Sequence, residues 1–234
     1  AESLALRVYY WRLEVQAKDV MTTNVVTVSP DTEVSDIAEL LLERHISALP
    51  VVDGDGGVVG IVSEGDLLHR RETDTEKHRN WWLGILVGNE QRATEYSKSH
   101  GTKASEVMSR EVVTVNEDAQ LGDIAELLEI RRIKRVPVLR DGKLVGIVSR
   151  ANLLHGLAAR REEVGPAPSS DDRTIRETII ETVRQEGWVT HGTLNVLVDN
   201  GVVELWGWVD SPEERQALNV AAENVTGVKE VRDR

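Results

Sequence analysis

Gly60-Ile61-Val62-Ser63-Glu64-Gly65-Asp66 ends a β-branched run in a serine and sets a carboxylate three residues on. Gly146-Ile147-Val148-Ser149-Arg150-Ala151-Asn152 repeats the pattern with an amide in the last place. A hydroxyl, a carboxylate and the N–H groups of a helix start, brought to one spot, suit a sugar phosphate. The carboxylate accepts both hydrogens of a ribose diol, and a helix start attracts phosphate. The same spacing is nearly a capping box, in which Ser63 and Asp66 simply finish a helix. On the residues alone both readings stand.

Basic residues sit nearby in sequence. Arg44-His45 precede Ile46-Ser47-Ala48, and Arg131-Arg132 precede Ile133-Lys134-Arg135. Each group falls where a helical pattern gives way to a strand. One reading is a solvated helix end favoured by the macrodipole; the other is phosphate recognition by guanidinium forks. Other chemistry is sparse. His45, His69, His78, His100, His155 and His191 show no metal-ligand spacing. No Gly-x-Ser-x-Gly, Walker-type or Gly-x-Gly-x-x-Gly motif occurs, and no nucleophile–base pair can be assembled. The expectation is therefore a non-enzyme, with no catalytic residue, no metal and no catalytic cofactor.

The elements that must position these residues come in two copies. Val20-Met21 matches Val107-Met108, and Asp36-Ile37-Ala38-Glu39-Leu40 recurs letter for letter from Asp123 to Leu127, an offset of 87. Pro50-Val51 matches Pro137-Val138, while Gly60-Ile61-Val62-Ser63 matches Gly146-Ile147-Val148-Ser149 at an offset of 86. Two copies of one unit imply a pseudo-symmetric pair with any ligand site duplicated. In the first copy Val25 to Val28 reads as a strand, and Ser29-Pro30-Asp31-Thr32 as break and cap. Val34, Ile37, Ala38, Leu41 and Leu42 form one helix face. Ala48 to Val52 and Val58 to Val62 are strands around the Asp53–Gly57 turn, and a closing helix begins at Glu64. The order is β-α-β-β-α. The second copy gives strands at Val112–Val115, Arg135–Leu139 and Leu144–Val148, with Leu121, Ile124, Ala125 and Leu128 on its helix face.

The chain has 234 residues, room for two or three small domains. Its 28 basic and 40 acidic residues give a net −12, which disfavours a nucleic-acid partner or an anionic membrane surface. Cysteine is absent, which excludes disulfides. No apolar run approaches the roughly 20 residues of a membrane span, and no secretory signal is visible. The start at Ala1 rather than Met leaves room for an upstream segment.

Residues 104–159 carry the second repeat and 17–70 the first, with an N-terminal extension at 1–16. Between them, 71–103 form an insertion whose Trp81-Trp82-Leu83 and Ile85-Leu86-Val87 read as a cap on the core or as a partner patch. A charged, Pro-rich linker spans 160–171. A small domain follows at 172–234. Its helix face is Ile175, Ile179, Ile180 and Val183; Leu194, Val196, Val198 and Val203, Leu205 alternate about the Asn200-Gly201 turn; Ser211-Pro212-Glu213-Glu214 is a capping box. Leu218, Ala221, Ala222 and Val225 face inward, and Val228–Arg232 is a last strand, giving α-β-β-α-β.

The doubled pattern Val20-Met21…Val25-Val26-Thr27-Val28…Ile46-Ser47-Ala48-Leu49-Pro50-Val51-Val52-Asp53…Gly60-Ile61-Val62-Ser63-x-x-Asp66 resembles a tandem CBS-domain pair, or Bateman module, over about residues 17 to 158. The resemblance implies an α+β fold, two repeats packed by pseudo-two-fold symmetry, a homodimer, and clefts for AMP, ADP, ATP, S-adenosylmethionine or NAD. By the same resemblance one site joins Ile61, Ser63 and Asp66 to Ile133, Lys134 and Arg135. The other joins Ile147, Ser149 and Asn152 to Ile46, Ser47 and Ala48. Phosphate contacts fall near Arg44, His45, Arg131 and Arg132. Asn152 departs from the acidic residue of the pattern, so its site loses a charge-assisted diol contact.

The last unit resembles a BON domain, on Val203-Glu204-Leu205-Trp206-Gly207-Trp208-Val209 and Val225-Thr226-Gly227-Val228-Lys229-Glu230-Val231. That family implies bacterial envelope proteins and phospholipid contact. Seven basic against thirteen acidic residues over 171–234 argue against membrane contact, and Trp206 and Trp208, on one strand face, read as core or edge packing. Two functions follow as expectations. One is a cytoplasmic bacterial sensor that binds an adenine nucleotide in the CBS clefts and relays occupancy to the BON domain or a partner. The other is a structural oligomeriser or envelope and phospholipid adaptor acting through the BON domain.

Overall fold

β-Branched runs flanked by glycine turns fold into three hairpins, and amphipathic helices close over them. The computed structural model describes residues 15–67, 100–159, 170–186 and 194–234. The expected N-terminal extension up to residue 14, the closing helix beyond Leu67, Trp81-Trp82-Leu83, Ile85-Leu86-Val87 and the linker at 160–169 lie outside the described residues. Those described fall into two compact units, one within Val26–Val112, the other within Ala1–Val25 and Val113–Arg234.

In the Val26–Val112 unit, α2 (Val34–Glu43) precedes β1 (Ala48–Val52), β2 (Val58–Ser63) and the single turn α3 (Glu64–Leu67). β1 and β2 pair antiparallel, Ala48 opposite Ser63. The Asp53 carboxylate organises the turn by accepting from the Asp55 and Gly57 amides, and Gly56 takes φ +85°. The expected strand at Val25–Val28 reduces to one parallel bridge, Val28 to Val51. Pro50 explains the loss: its carbonyl accepts from Val28 N at 3.1 Å, but it has no N–H with which to extend the ladder. The helix is capped at Glu33, one residue past the expected Ser29–Thr32 break, which instead closes a turn through Ser29 N donating to Thr32 Oγ1. Val34, Ile37 and Leu41 are buried as expected; Leu42 is 76 % exposed, and Leu40 flanks the stripe in its place.

In the other unit, β3 (Val115–Asn116), α5 (Leu121–Ile130), β4 (Arg135–Arg140), β5 (Lys143–Ser149) and α6 (Arg150–Ala159) reproduce the pattern. β3 pairs parallel with β4 at Val138 and Leu139, just beyond Pro137. The strand thus begins at Val115 rather than Val112, for the reason that limits Val28. Leu121, Ile124 and Leu128 are buried, whereas Ala125 faces solvent.

Each hairpin also takes a short leader segment that precedes the other repeat in sequence. α1 (Ala17–Val20) and the following Met21-Thr22 pack on β5, with Thr22 and Ile147 exchanging backbone bonds of 3.0 and 2.9 Å. α4 (Ala104–Val107) and Met108-Ser109 pack on β2, with Ile61 and Ser109 exchanging bonds of 3.0 and 2.9 Å. Gly146 and Gly60 make room for these leaders: a Cβ on either would lie 2.3 Å from the sulfur of Met21 or Met108.

The C-terminal domain is α7 (Ser170–Glu186), β6 (Asn195–Asp199), β7 (Val202–Trp206), α8 (Pro212–Glu223) and β8 (Glu230–Asp233), with sheet order β6-β7-β8. Asn200 and Gly201 both take positive φ, the mirror-image hairpin turn their types favour. Ser211 Oγ accepts from Glu214 N, and Glu214 reaches back to Asp210 N rather than to Ser211. The last strand starts at Glu230, two residues later than expected. Ile175, Ile179, Val183, Val196, Val198, Val203, Leu205, Leu218 and Ala222 form its core. Trp208 departs from expectation: β7 ends at Trp206, Gly207 turns the chain, and Trp208 is 58 % exposed.

Candidate functional site

Ser63 closes β2 and Asp66 lies on the turn that follows, so the two side chains meet. Ser63 donates to Asp66 Oδ2 from its amide at 3.0 Å and from its hydroxyl at 2.7 Å. Both bonds fix the carboxylate on the strand end, and Asp66 Oδ1 faces Ser109 Oγ at 3.5 Å. Ser63 and Asp66 are half-buried. The two bonds from one serine orient the carboxylate on the strand end. The junction residues of the same repeat lie alongside: Ala48 is opposite Ser63, the Ser47 carbonyl accepts from Glu64 N at 3.1 Å, and Ile46 packs on the core. His45, at the end of α2, takes φ +50° and turns the chain into β1, and Arg44 is the C-cap.

The second repeat has the same backbone and different chemistry. Arg131 is the C-cap of α5, Arg132 takes φ +53°, Arg135 is opposite Ser149, the Lys134 carbonyl accepts from Arg150 N, and Ile133 packs on the core. Ile61 and Ile147 sit on β2 and β5, two residues before Ser63 and Ser149. Ser149 donates to Asn152 Oδ1 from its amide at 2.8 Å and its hydroxyl at 2.6 Å, and Asn152 N donates back to Ser149 Oγ at 3.3 Å. That is a complete reciprocal cap. Asn152 is 4 % exposed, and its Nδ2 donates to Val20 O at 3.0 Å and Thr22 Oγ1 at 3.2 Å.

A second polar cluster was not anticipated from the sequence. Arg173 of α7 donates to both carboxylate oxygens of the buried Asp19, at 2.7 and 3.1 Å. This bond raises the Arg173 pKa above its ordinary value. Arg176, 5 % exposed, donates to Val196 O at 2.8 Å and Met21 O at 2.6 Å. Burial pushes its guanidinium down to about 10, against the opposing charges of Asp19 and Glu177, so it stays protonated at neutral pH. Leu197 and Trp206 of the C-terminal domain pack with the core of the second repeat, and the Trp206 ring stacks on His155 at 4.5 Å and 14°. Two sequence signals point to this docking. Val196-Leu197-Val198 is continuous rather than alternating, the mark of a strand buried on both faces. Arg176 interrupts the apolar stripe of Ile175 and Ile179. Among the described residues no cluster of His, Asp or Glu could hold a metal, and no helix is long and apolar enough to cross a membrane.

Parts of this chain are similar to known proteins. The CBS domain family model matches residues 17–72 and 104–159, and the BON domain model matches 171–234. The CBS domain-containing protein CBSX2 of Arabidopsis thaliana, a chloroplastic protein, is 34 % identical over 154 residues, 62 % of this chain and 64 % of that protein. The CBS domain-containing protein YhcV of Bacillus subtilis is 31 % identical over 136 residues, 58 % of this chain and 81 % of that protein. The crystal structure of CBSX2 in complex with AMP superposes with a TM-score of 0.56 at 30 % identity, covering 63 % of this chain and 99 % of that one. The duplicated hairpin, the duplicated serine motif and these matches together make this chain a member of the CBS-domain family, a tandem CBS pair followed by a BON domain.

Proposed function

We propose that this chain is a non-enzymatic regulatory module that binds an adenosine-containing nucleotide, with Ser63 and Asp66 as the ribose contacts, and relays occupancy to its BON domain. The supporting observation is the Ser63–Asp66 pair, a carboxylate aimed by two bonds from one serine, in a chain 30 % identical to a CBS pair that holds AMP. A carboxylate so oriented accepts the paired hydrogens of a ribose diol, and charge-assisted bonds of that kind are the strong ones. Ile133, Lys134 and Arg135 are proposed base contacts. Arg44, His45, Arg131 and Arg132 are proposed phosphate contacts. Adenine nucleotides abound inside cells, which is where such a sensor would work.

Thermal-shift titration with AMP, ADP, ATP, S-adenosylmethionine and NAD tests the reading. A ligand at 100 times its Kd stabilises the native state by about 2.7 kcal/mol, so at least one of the five should raise the melting temperature. The Ser63→Ala/Asp66→Ala double variant should remove the shift. No response to any of them at millimolar concentration would overturn the proposal.

A further inference from the structure

Asn152 uses every hydrogen-bonding position its side chain has. An amide offers two acceptor lone pairs and two N–H donors. Ser149 fills both lone pairs, and Val20 O and Thr22 Oγ1 take both donors, in a site 4 % exposed. A ribose hydroxyl could enter only by displacing one of these partners. An aspartate in the same place could not donate to the Val20 carbonyl. The amide is thus suited to holding a leader carbonyl, whereas the carboxylate at the matching position of the first repeat can only accept, as it does from Ser109 Oγ.

The C-terminal domain grips the same segment from its other side. Arg173 holds the Asp19 carboxylate, and Arg176 donates to the Met21 carbonyl. Beyond α1 the chain is extended, Met21 lying at φ −62°, ψ 149°. In that polyproline-like geometry, with about three residues per turn, successive carbonyls point in different directions. Val20 O therefore meets Asn152 while Met21 O meets Arg176, and the Met21 side chain lies against Gly146. Along residues 19–22 the partners alternate: α7, Asn152, α7, Asn152.

We infer that Asn152 is a positioning residue for the BON domain: by fixing Val20 and Thr22 it presents the Asp19 carboxylate and the Met21 carbonyl to Arg173 and Arg176, and it is not a ribose contact. The second part rests on the nucleotide reading above and assigns one nucleotide per chain, at Ser63 and Asp66.

Hydrogen exchange by mass spectrometry on the full chain tests the coupling without any ligand. Asn152→Asp keeps the acceptors for Ser149 and removes both donors. Amide exchange should rise at least about tenfold in residues 17–22 and also in 171–180, while β4 and β5 stay protected. Arg176→Met should do the reciprocal, raising exchange in 17–22 and in 149–153. A rise confined to 149–153 in Asn152→Asp would reduce Asn152 to a local cap and overturn the inference. If that variant unfolds altogether, unchanged exchange at 149–153 in Arg176→Met overturns it equally. Equilibrium dialysis of wild-type protein with AMP should give one site per chain. Two sites would overturn the assignment of Asn152. No site at all would remove the nucleotide reading and leave the exchange result standing.

Discussion

At the scale of single residues, the two glycines beneath the leader methionines leave the least room for a side chain among the described glycines. A Cβ at Gly146 would stand 2.3 Å from Met21 Sδ, 2.8 Å from its Cγ and 3.2 Å from its Cβ. The sulfur can swing away, but the Met21 Cβ moves only with the backbone that Thr22 and Ile147 hold. Gly146→Ala should therefore cost about 1–3 kcal/mol, the range for overpacking, read from chemical denaturation midpoints. Met21→Ala in the same chain should recover part of that loss, because contacting sites do not add. A Gly146→Ala protein as stable as wild type would mean the methionine is not seated there. The glycines and methionines were legible as repeat positions, Gly60 with Gly146 and Met21 with Met108. That each methionine lies over the glycine of the other copy was not, because a repeat in sequence does not say which copy receives which leader. Asn152 was legible as a departure from the acidic pattern. Its donors to Val20 and Thr22 were not, since their partners lie 132 and 130 residues away.

At the scale of elements, the hairpins and central helices follow from alternation and from the i, i+3, i+7 stripe, and their ends follow from local chemistry. Pro50 and Pro137 shorten the parallel pairing in both repeats, a consequence of a missing N–H that reading Val25–Val28 and Val112–Val115 as whole strands overlooked. His155 of α6 stacks on Trp206 at the end of β7, where burial disfavours a charged imidazole. Burial against the sheet depresses the His155 pKa, and the nearby Glu204 opposes that shift more weakly. Glu204 is itself engaged by Trp206 Nε1 and approached by Arg232 and Arg234. Above the ordinary histidine pKa of about 6.5 both folded and unfolded chains carry neutral His155, so it contributes no pH dependence. As pH falls through that value the unfolded chain takes the proton more readily, and stability drops. Denaturation midpoints should accordingly fall between pH 7.5 and 5.5, and His155→Gln should flatten that part of the profile. An identical slope in the variant would locate the titration elsewhere.

At the scale of the whole molecule, the BON domain is tied to the second repeat by more than a linker. Its own core, from Ile175 to Ala222, accounts for one face of β6, while Leu197 on the other face and Trp206 at the end of β7 join the core of the second repeat. Fully burying a leucine side chain is worth about 1.5–3 kcal/mol, and a stacked aromatic pair adds about 0.5–1.5 kcal/mol. Removing residues 170–234 takes both away, together with the Arg173–Asp19 ion pair. Calorimetry of a chain ending at residue 169 should thus show the transition of the second repeat several degrees below its position in the full chain, since about 1 kcal/mol moves a small domain by roughly 4–8 °C. The Val26–Val112 unit provides the internal reference, because its core cluster contains no residue of the BON domain. A second-repeat transition that stays in place would mean that the Arg173, Arg176 and Leu197 contacts contribute nothing to stability. A BON domain held so loosely could not report on anything the repeats bind.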